Sequence, residues 1–266
     1  MNILVLLKMV PDVVEELEIA PDGKSLASDA LRMILSESDD HALEQALLLK
    51  ERHGGVITVV AADGPEVDDA LYTAAAKGAD RVVKITGLEA GWGTRGLAHA
   101  FARVISTLPG LAPFDLILTG TQAIDDLDAL VAPSVAYELD LPYVPIVSRV
   151  QVDPAAREAD VFKEYPGGVR GEFAAPLPAM LGIQSAEKPP RYVPVAKVRA
   201  AMKTVKIEPA ALATAADGGG PLVYVLAMAK PQASGRAEML EGAPEEVAAK
   251  LCETLASRGL LAGRAA

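Results

Sequence analysis

The chain has 266 residues, of which 51% are hydrophobic and only 4% aromatic, and a formal net charge of −11. So acidic a chain excludes nucleic acid as a main partner, because phosphate backbones are gripped by Lys and Arg. Its single cysteine, Cys252, excludes an intramolecular disulfide framework and a cysteine-rich metal site.

With few aromatics the core must be built from Ala, Val, Leu and Ile, a palette that suits a sheet covered by helices. No apolar run approaches the roughly 20 residues of a membrane span. The run at residues 3–7 ends at Lys8, too soon for an export signal, and reads as a buried strand; a cytoplasmic protein, or one of an organelle matrix after processing, is expected.

In chain order, residues 2–8 (NILVLLK) form that first strand, apolar on both faces. Pro21-Asp22-Gly23-Lys24 is a turn, since Pro presets φ and Gly accepts φ > 0. Ser38 is placed to cap a helix with Asp39 and Asp40 in its first turn, where the dipole favours acids. Residues 56–61 make the second strand. Pro65 opens a helix with Glu66, Asp68 and Asp69 in its first turns, closed by Gly78. Residues 81–85 are the third strand. Thr94 starts a helix whose inner side carries Leu97, Ala98, Phe101, Val104, Ile105 and Leu108, and residues 115–119 are the fourth strand. This alternation implies an α/β fold with a doubly wound, mostly parallel sheet, Rossmann-like and of the adenine-nucleotide-binding type.

Beyond about residue 143 the alternation lapses. Residues 143–152, 160–165 and 178–184 read as further strands, some antiparallel; 188–194 is a Pro-rich loop, and 195–206 gathers basic residues. The expected division is a domain over 1–208, an Ala/Gly-rich linker over 209–221 and a C-terminal arm over 222–266. The arm opens with a strand at 222–227 and ends with a helix over 244–258. It is too small for its own core and is expected to pack on a partner subunit.

Ligands of an open parallel sheet bind beyond the carboxyl ends of its strands, at the switch point. Residues 7–13, 61–64 and 120–133 converge there. The last, GTQAIDDLDALVAP, ends a strand on glycine, carries Asp125, Asp126 and Asp128, and enters a helix near Pro133. Backbone N–H groups at such a helix start suit an adenine nucleotide phosphate. The same build serves equally as a plain strand-to-helix connection with a solvated acidic face. No G-x-G-x-x-G follows the first strand and no P-loop occurs, which argues against a dinucleotide dehydrogenase or P-loop enzyme. His41, His53 and His99 lie far apart and read as packing or surface residues, and Cys252 as packed beside Leu251. Trp92 either covers a flavin or closes a surface cleft.

Several motifs stand in register with one known family. They are Lys8, Val10, Pro11 and Asp12 of K-x-V-P-D, then Asp39, Ala42, Glu44, Ala46, Leu47, Leu49, Lys50 and Glu51 of a helical pattern. Gly64-Pro65, A-x-G-A-D-R at 76–81, G-x-Q-A-I-D at 120–125, Pro190-Arg191-Tyr192 and G-R-A-x-M-x-E-G at 235–242 follow. On these residues the chain resembles the electron transfer flavoprotein β family over nearly its whole length.

The resemblance implies that a partner α subunit holds most of an FAD while this chain buries an AMP and contributes one wall near the flavin. The chain would be a redox carrier rather than an enzyme, with no catalytic or metal residue. It would pass electrons from a flavin-dependent dehydrogenase to a quinone reductase or other acceptor. Carried onto this sequence, the cofactor positions are Leu6, Lys8, Ser36, Ser38, Asp39, Asp63, Gly64, Gly120, Gln122, Ala123, Ile124, Asp125, Asp126, Ala129, Leu130 and Val131. Residues 188–206 resemble the family's recognition loop for partner dehydrogenases. Val195 stands at its apolar anchor, and Arg191, Tyr192, Lys197 and Arg199 lie alongside. Those basic residues read alternatively as a solvated face.

Three departures qualify the resemblance. The family's Asn-Pro before the first helix is Ser36-Glu37 and the following aromatic is Ser38. The polar triplet that grips the AMP phosphate is Ala129, Leu130 and Val131, which predicts a weak or absent AMP. Val13 stands where other members place Tyr or Thr near the flavin. The V-x-P at 131–133 and the K-x-V-P-D start are similar to a bifurcating branch whose β subunit binds its own FAD, although that branch's phosphate-binding Thr and Gln are absent. A stand-alone nucleotide sensor of the same fold would not need the long segment after 188. An adenylating hydrolase would want S-G-G-x-D-S after the first strand, which residues 8–12 do not offer.

Overall fold

The computed structural model describes residues 1–29, 31–88, 93–212, 223–232, 235 and 237–261. Their elements run β1 (Asn2–Leu7), β2 (Met9–Pro11), β3 (Met33–Leu35), α1 (Glu37–His53), β4 (Val56–Ala62), α2 (Val67–Lys77), β5 (Arg81–Thr86), α3 (Gly93–Thr107), β6 (Leu116–Gly120) and α4 (Val131–Glu138). After them come β7 (Tyr143–Asp153), β8 (Glu158–Tyr165), β9 (Val169–Pro176), β10 (Ala179–Ile183), α5 (Val195–Thr204), β11 (Glu208–Ala211) and α6 (Pro244–Ser257).

Nine strands form one sheet in the order β11-β5-β4-β1-β6-β10-β7-β8-β9. The seven from β11 to β7 are parallel neighbours, and β7, β8 and β9 are joined by antiparallel pairs. The chain winds outward from β1 through β4 to β5, then returns to place β6 on the other side of β1. The switch point therefore lies at the carboxyl ends of β1 and β6.

Burial explains why β1 is a continuous apolar run. Ile3, Val5 and Leu7 pack in a core with Leu43 and Leu47 of α1 and Leu71 of α2. Leu4 and Leu6 pack on the opposite face with Phe101, Ile105 and Val135 of α3 and α4. A strand covered on both faces cannot alternate with polar residues.

The structure departs from the expectations at several places. Helix α1 begins at Glu37, so Ser36, not Ser38, is its N-cap residue, and no side-chain cap bond is made. Helix α4 starts at Val131, with Pro133 as its third residue. Residues 169–176, given no element above, form β9; within the expected recognition loop over 188–206, residues 195–204 of the basic cluster are helix α5. Residues 209–211, assigned to the linker, belong to β11, which extends the sheet beside β5. Residues 223–227 are not a strand. Trp92 and linker residues 213–221 lie outside the described residues, as do Leu222 and Arg236.

The chain divides into two compact units, Met1–Met228 and Ala229–Ala266. Helix α6 buries none of its residues, and Cys252 on it is exposed rather than packed. Among the described residues no helix is long and apolar enough to cross a membrane.

Candidate functional site

Asp39, in the first turn of α1, ties the switch point together. The residue is 4% exposed. One oxygen accepts the Lys8 N–H at 2.8 Å; the other accepts the Gly120 N–H at 2.6 Å and the Thr119 hydroxyl at 3.1 Å. One side chain thus joins the ends of β1 and β6 to the start of α1. Burial pushes its pKa up to about 6, although these three donors and Lys8 pull the other way. Gly120 is required here by crowding. A Cβ on it would come within 2.1 Å of Ser38 Oγ and 2.7 Å of Asp39 Oδ1. Ser38, freed from capping, donates its hydroxyl to the Gln122 carbonyl at 2.7 Å.

Beyond Gly120 the loop folds on itself. Leu127 and Ala129 both take φ of 55°, a left-handed conformation that side-chain bonds must hold in place. Asp126 accepts the Asp128 N–H at 3.3 Å and Asp128 accepts the Leu130 N–H at 3.0 Å, two successive Asx turns. Asp128 also accepts the Thr94 hydroxyl at 2.6 Å, and Gln122 donates to the Leu127 carbonyl at 2.5 Å. Lys8 closes the loop from below, its Nζ 2.7 Å from Asp125 and 2.5 Å from Asp126. Burial lowers the Lys8 pKa, but the two carboxylates outweigh it, so the ammonium is held above its ordinary value.

Two cavities flank this loop. The first encloses about 30 Å³ and is lined by Leu6, Lys8, Ser36, Asp39, Gly120, Gln122, Ala123, Asp126, Ala129, Leu130 and Val131, all expected cofactor positions. Leu7, Thr121, Asp128 and Ala132 join them from the segments expected to converge at the switch point, and Phe101 and Thr119 join without having been foreseen. The second opens to about 400 Å³ and takes in Ser38 and Ile124, with Val10, Val13, Ile34, His41, Leu127 and Gln184. Asp125 reaches the site only through Lys8. Asp63 and Gly64 line neither cavity. The Asp63 N–H is spent on the Ile85 carbonyl at 2.8 Å and its carboxylate faces Lys84 at 3.5 Å, which turns this strand end toward β5.

The residues expected to meet a partner protein stand apart from this cleft and are rooted in α1. Ala186 N–H donates to His41 Nδ1 at 3.2 Å, Glu187 pairs with Gln45 and Arg52, and Arg191 pairs with Glu44 and Glu51. Glu44 is 3% exposed and accepts both the Arg191 N–H and its guanidinium. Tyr192 and Val195 are 84% and 60% exposed. Arg191 is thus spent internally, while Tyr192 and the first turn of α5 face outward. Motif matching had flagged Glu44 and Arg191 separately; nothing local in the sequence paired them.

A doubly wound sheet with an acid-rich loop and an open apolar cavity at its switch point defines an α/β protein of the ligand-binding, Rossmann-like class. Comparison with known proteins narrows this. Residues 24–215 match the family described as electron transfer flavoprotein domain. The chain is 33% identical over 263 residues to an electron transfer flavoprotein subunit beta of Methylophilus methylotrophus, covering 96% of this chain and 98% of that one. A protein of the same description from Bacillus subtilis is 30% identical, with 97% and 98% covered. Protein FixA of Azotobacter vinelandii is 34% identical over 64% of this chain and 61% of its own length. The chain belongs to the electron transfer flavoprotein β family.

Proposed function

We propose that the chain is the β subunit of a heterodimeric electron transfer flavoprotein. It carries electrons from a flavin-dependent dehydrogenase to a quinone reductase or other acceptor, through FAD held mainly by an α subunit. The observation that carries this reading is the second cavity. Its volume of about 400 Å³ falls in the range of small-molecule sites. Its lip, Val13, Ile124 and Leu127, is apolar and 53–59% exposed. An exposed apolar rim around a hollow is a surface awaiting cover.

The residues fit one flank of an aromatic ring system. Val10, Val13, Ile34, Ile124 and Leu127 offer hydrocarbon, while Ser36, Ser38, His41, Gln122 and Gln184 offer polar contacts at the margin. The flavin supplies the redox chemistry when bound; this chain excludes water from one side and orients what lies against it. The Ala186 N–H donated to His41 Nδ1 leaves that ring's proton on Nε2 in the neutral form. Exposed Tyr137, Val223, Tyr224 and Leu226 offer further apolar area for the α subunit. The segment after residue 188 is the docking surface for the dehydrogenase, anchored by Arg191 and presenting Tyr192, Val195, Lys197 and Arg199.

An absorbance spectrum tests this reading. The chain expressed alone and offered excess FAD is expected to stay colourless, and the pair co-expressed with its α chain to show the flavin band near roughly 450 nm, a property of the oxidised cofactor. A stoichiometric band in the lone chain would replace this reading with a β subunit that binds its own FAD.

A further inference from the structure

Membership of this family brings with it the expectation of an AMP in the first cavity, and the residues present there do not fit one. Ala129, Leu130 and Val131 have hydrocarbon side chains that donate no hydrogen bond. Two of the loop's backbone donors are spoken for: the Asp128 and Leu130 N–H groups bond to the carboxylates of Asp126 and Asp128. Pro133, in the first turn of α4, has no N–H to offer. Lys8, the cation lining the cavity, is already held between Asp125 and Asp126. The cavity's volume of about 30 Å³ is far below that of the second, about 400 Å³.

Charge points the same way. A phosphate placed at the start of α4 would lie among Asp126, Asp128 and, behind them, Asp39, with the compensating ammonium of Lys8 committed elsewhere. Like charges at such separations repel strongly in a partly desolvated cleft.

We infer that this β chain carries no adenine nucleotide and that residues 122–131 are its internal substitute. The carboxylates of Asp126 and Asp128 take two of the loop's backbone donors and put negative charge where a phosphate would lie, and the Lys8 clasp fixes the loop that a ligand would otherwise order. The inference goes beyond the proposed function and rests on its placing the FAD mainly on the α subunit.

The test uses the purified heterodimer, co-expressed and dialysed, then denatured, with AMP and FAD quantified by mass spectrometry in the same extract. FAD without AMP is the expected result, together with a melting temperature that excess AMP does not move. AMP equimolar with FAD would overturn the inference. A second heterodimer, Asp126→Ala/Asp128→Ala, releases the loop donors and removes two charges; calorimetry with AMP is expected to show binding at least about tenfold tighter than in the parent, the gain of one charge-assisted hydrogen bond. An empty parent with no gain in the variant would overturn the assignment of that emptiness to the carboxylates. Should the variant fail to fold, the parent's extract decides alone. FAD missing from the extract counts against the proposed function and leaves the AMP result to be judged separately.

Discussion

The loop over 122–131 and the segment over 186–204 are both polar, irregular excursions from the sheet, yet they use their polar groups in opposite ways. In the first, carboxylates turn inward onto the loop's own N–H groups and onto Lys8, so binding capacity is consumed within the molecule. In the second, the ion pairs sit at the root, where Glu187 and Arg191 meet α1, and the tip stays exposed. Satisfied polar groups at a root stiffen a segment; satisfied polar groups at a tip silence it. On this contrast we propose that dehydrogenase docking falls to the second region, while the first offers only the apolar lip of Ile124 and Leu127.

The strongest way to break the contrast is to cut the root. Glu44 is buried and accepts four bonds from Arg191, one from its backbone and three from its guanidinium. Removing Glu44 leaves Arg191 with Glu51 alone, so Glu44→Ala should cost about 3 kcal/mol in denaturant unfolding, the upper range for charge-assisted hydrogen bonds. Proteolysis is expected to nick the 188–204 segment first in this variant. Unfolding that matches the parent, with no new cleavage site, would show that the segment is held by something other than Arg191.

How far these regions could be read from sequence follows from what each buries. The runs at 2–8 and 56–61 were legible because a strand covered on both faces must be apolar throughout. Strand β9 was not, since VRGEFAAP buries only Ala175 and a solvated hairpin strand has no pattern to keep. Helix α5 hid for the same reason: it buries only Ala201 and opens with Pro194 in place of a capping side chain. At the site, the glycine ending β6 and its acidic loop stood out locally. The Lys8 clasp and the Glu44–Arg191 pair did not, because they join residues 117 to 147 positions apart. Asp39 was assigned to the helix dipole and, by resemblance, to the cofactor positions; its hold on the ends of β1 and β6 is a matter of tertiary structure.

Asp39 lies where α1 meets the loop, and its titration sharpens the comparison from the other side. Its folded pKa of about 6 exceeds the ordinary 3.8, so the native state takes up a proton more readily than the unfolded chain. The stability this contributes is fully present below about pH 3.8 and is lost as pH rises through about 6. Glu187 and Glu208, held low by Arg52 and Arg81, run oppositely and lose their contribution as pH falls. Asp39→Asn cannot titrate. Relative to the parent its stability should improve by up to about 3 kcal/mol between about pH 4 and pH 7, a shift of roughly two pKa units converted to free energy. Parallel curves for parent and variant across that range would show that the carboxyl titrates normally and that the donors at β1 and β6 compensate its burial in full.

The smallest expected effects fall at the exposed tip, where the contrast places recognition. Val195 is a small anchor in the first turn of α5, 60% exposed, and truncation at an interface anchor costs about 1 kcal/mol. Val195→Ala should therefore slow reduction by the cognate dehydrogenase about fivefold, by the corresponding free-energy conversion. The flavin spectrum should not change, because α5 packs on α2 and lines neither cavity. Reversing Lys197 and Arg199 to Glu should act on encounter instead. Exposed charges steer association, so the on-rate should fall most at low salt and converge with the parent's as ionic strength rises. Stopped-flow reduction of the heterodimer across a salt series separates the two, since losing the anchor raises the off-rate at every salt concentration. Kinetics unchanged in both variants would leave 192–204 as packing for α2 and move partner recognition elsewhere on the heterodimer.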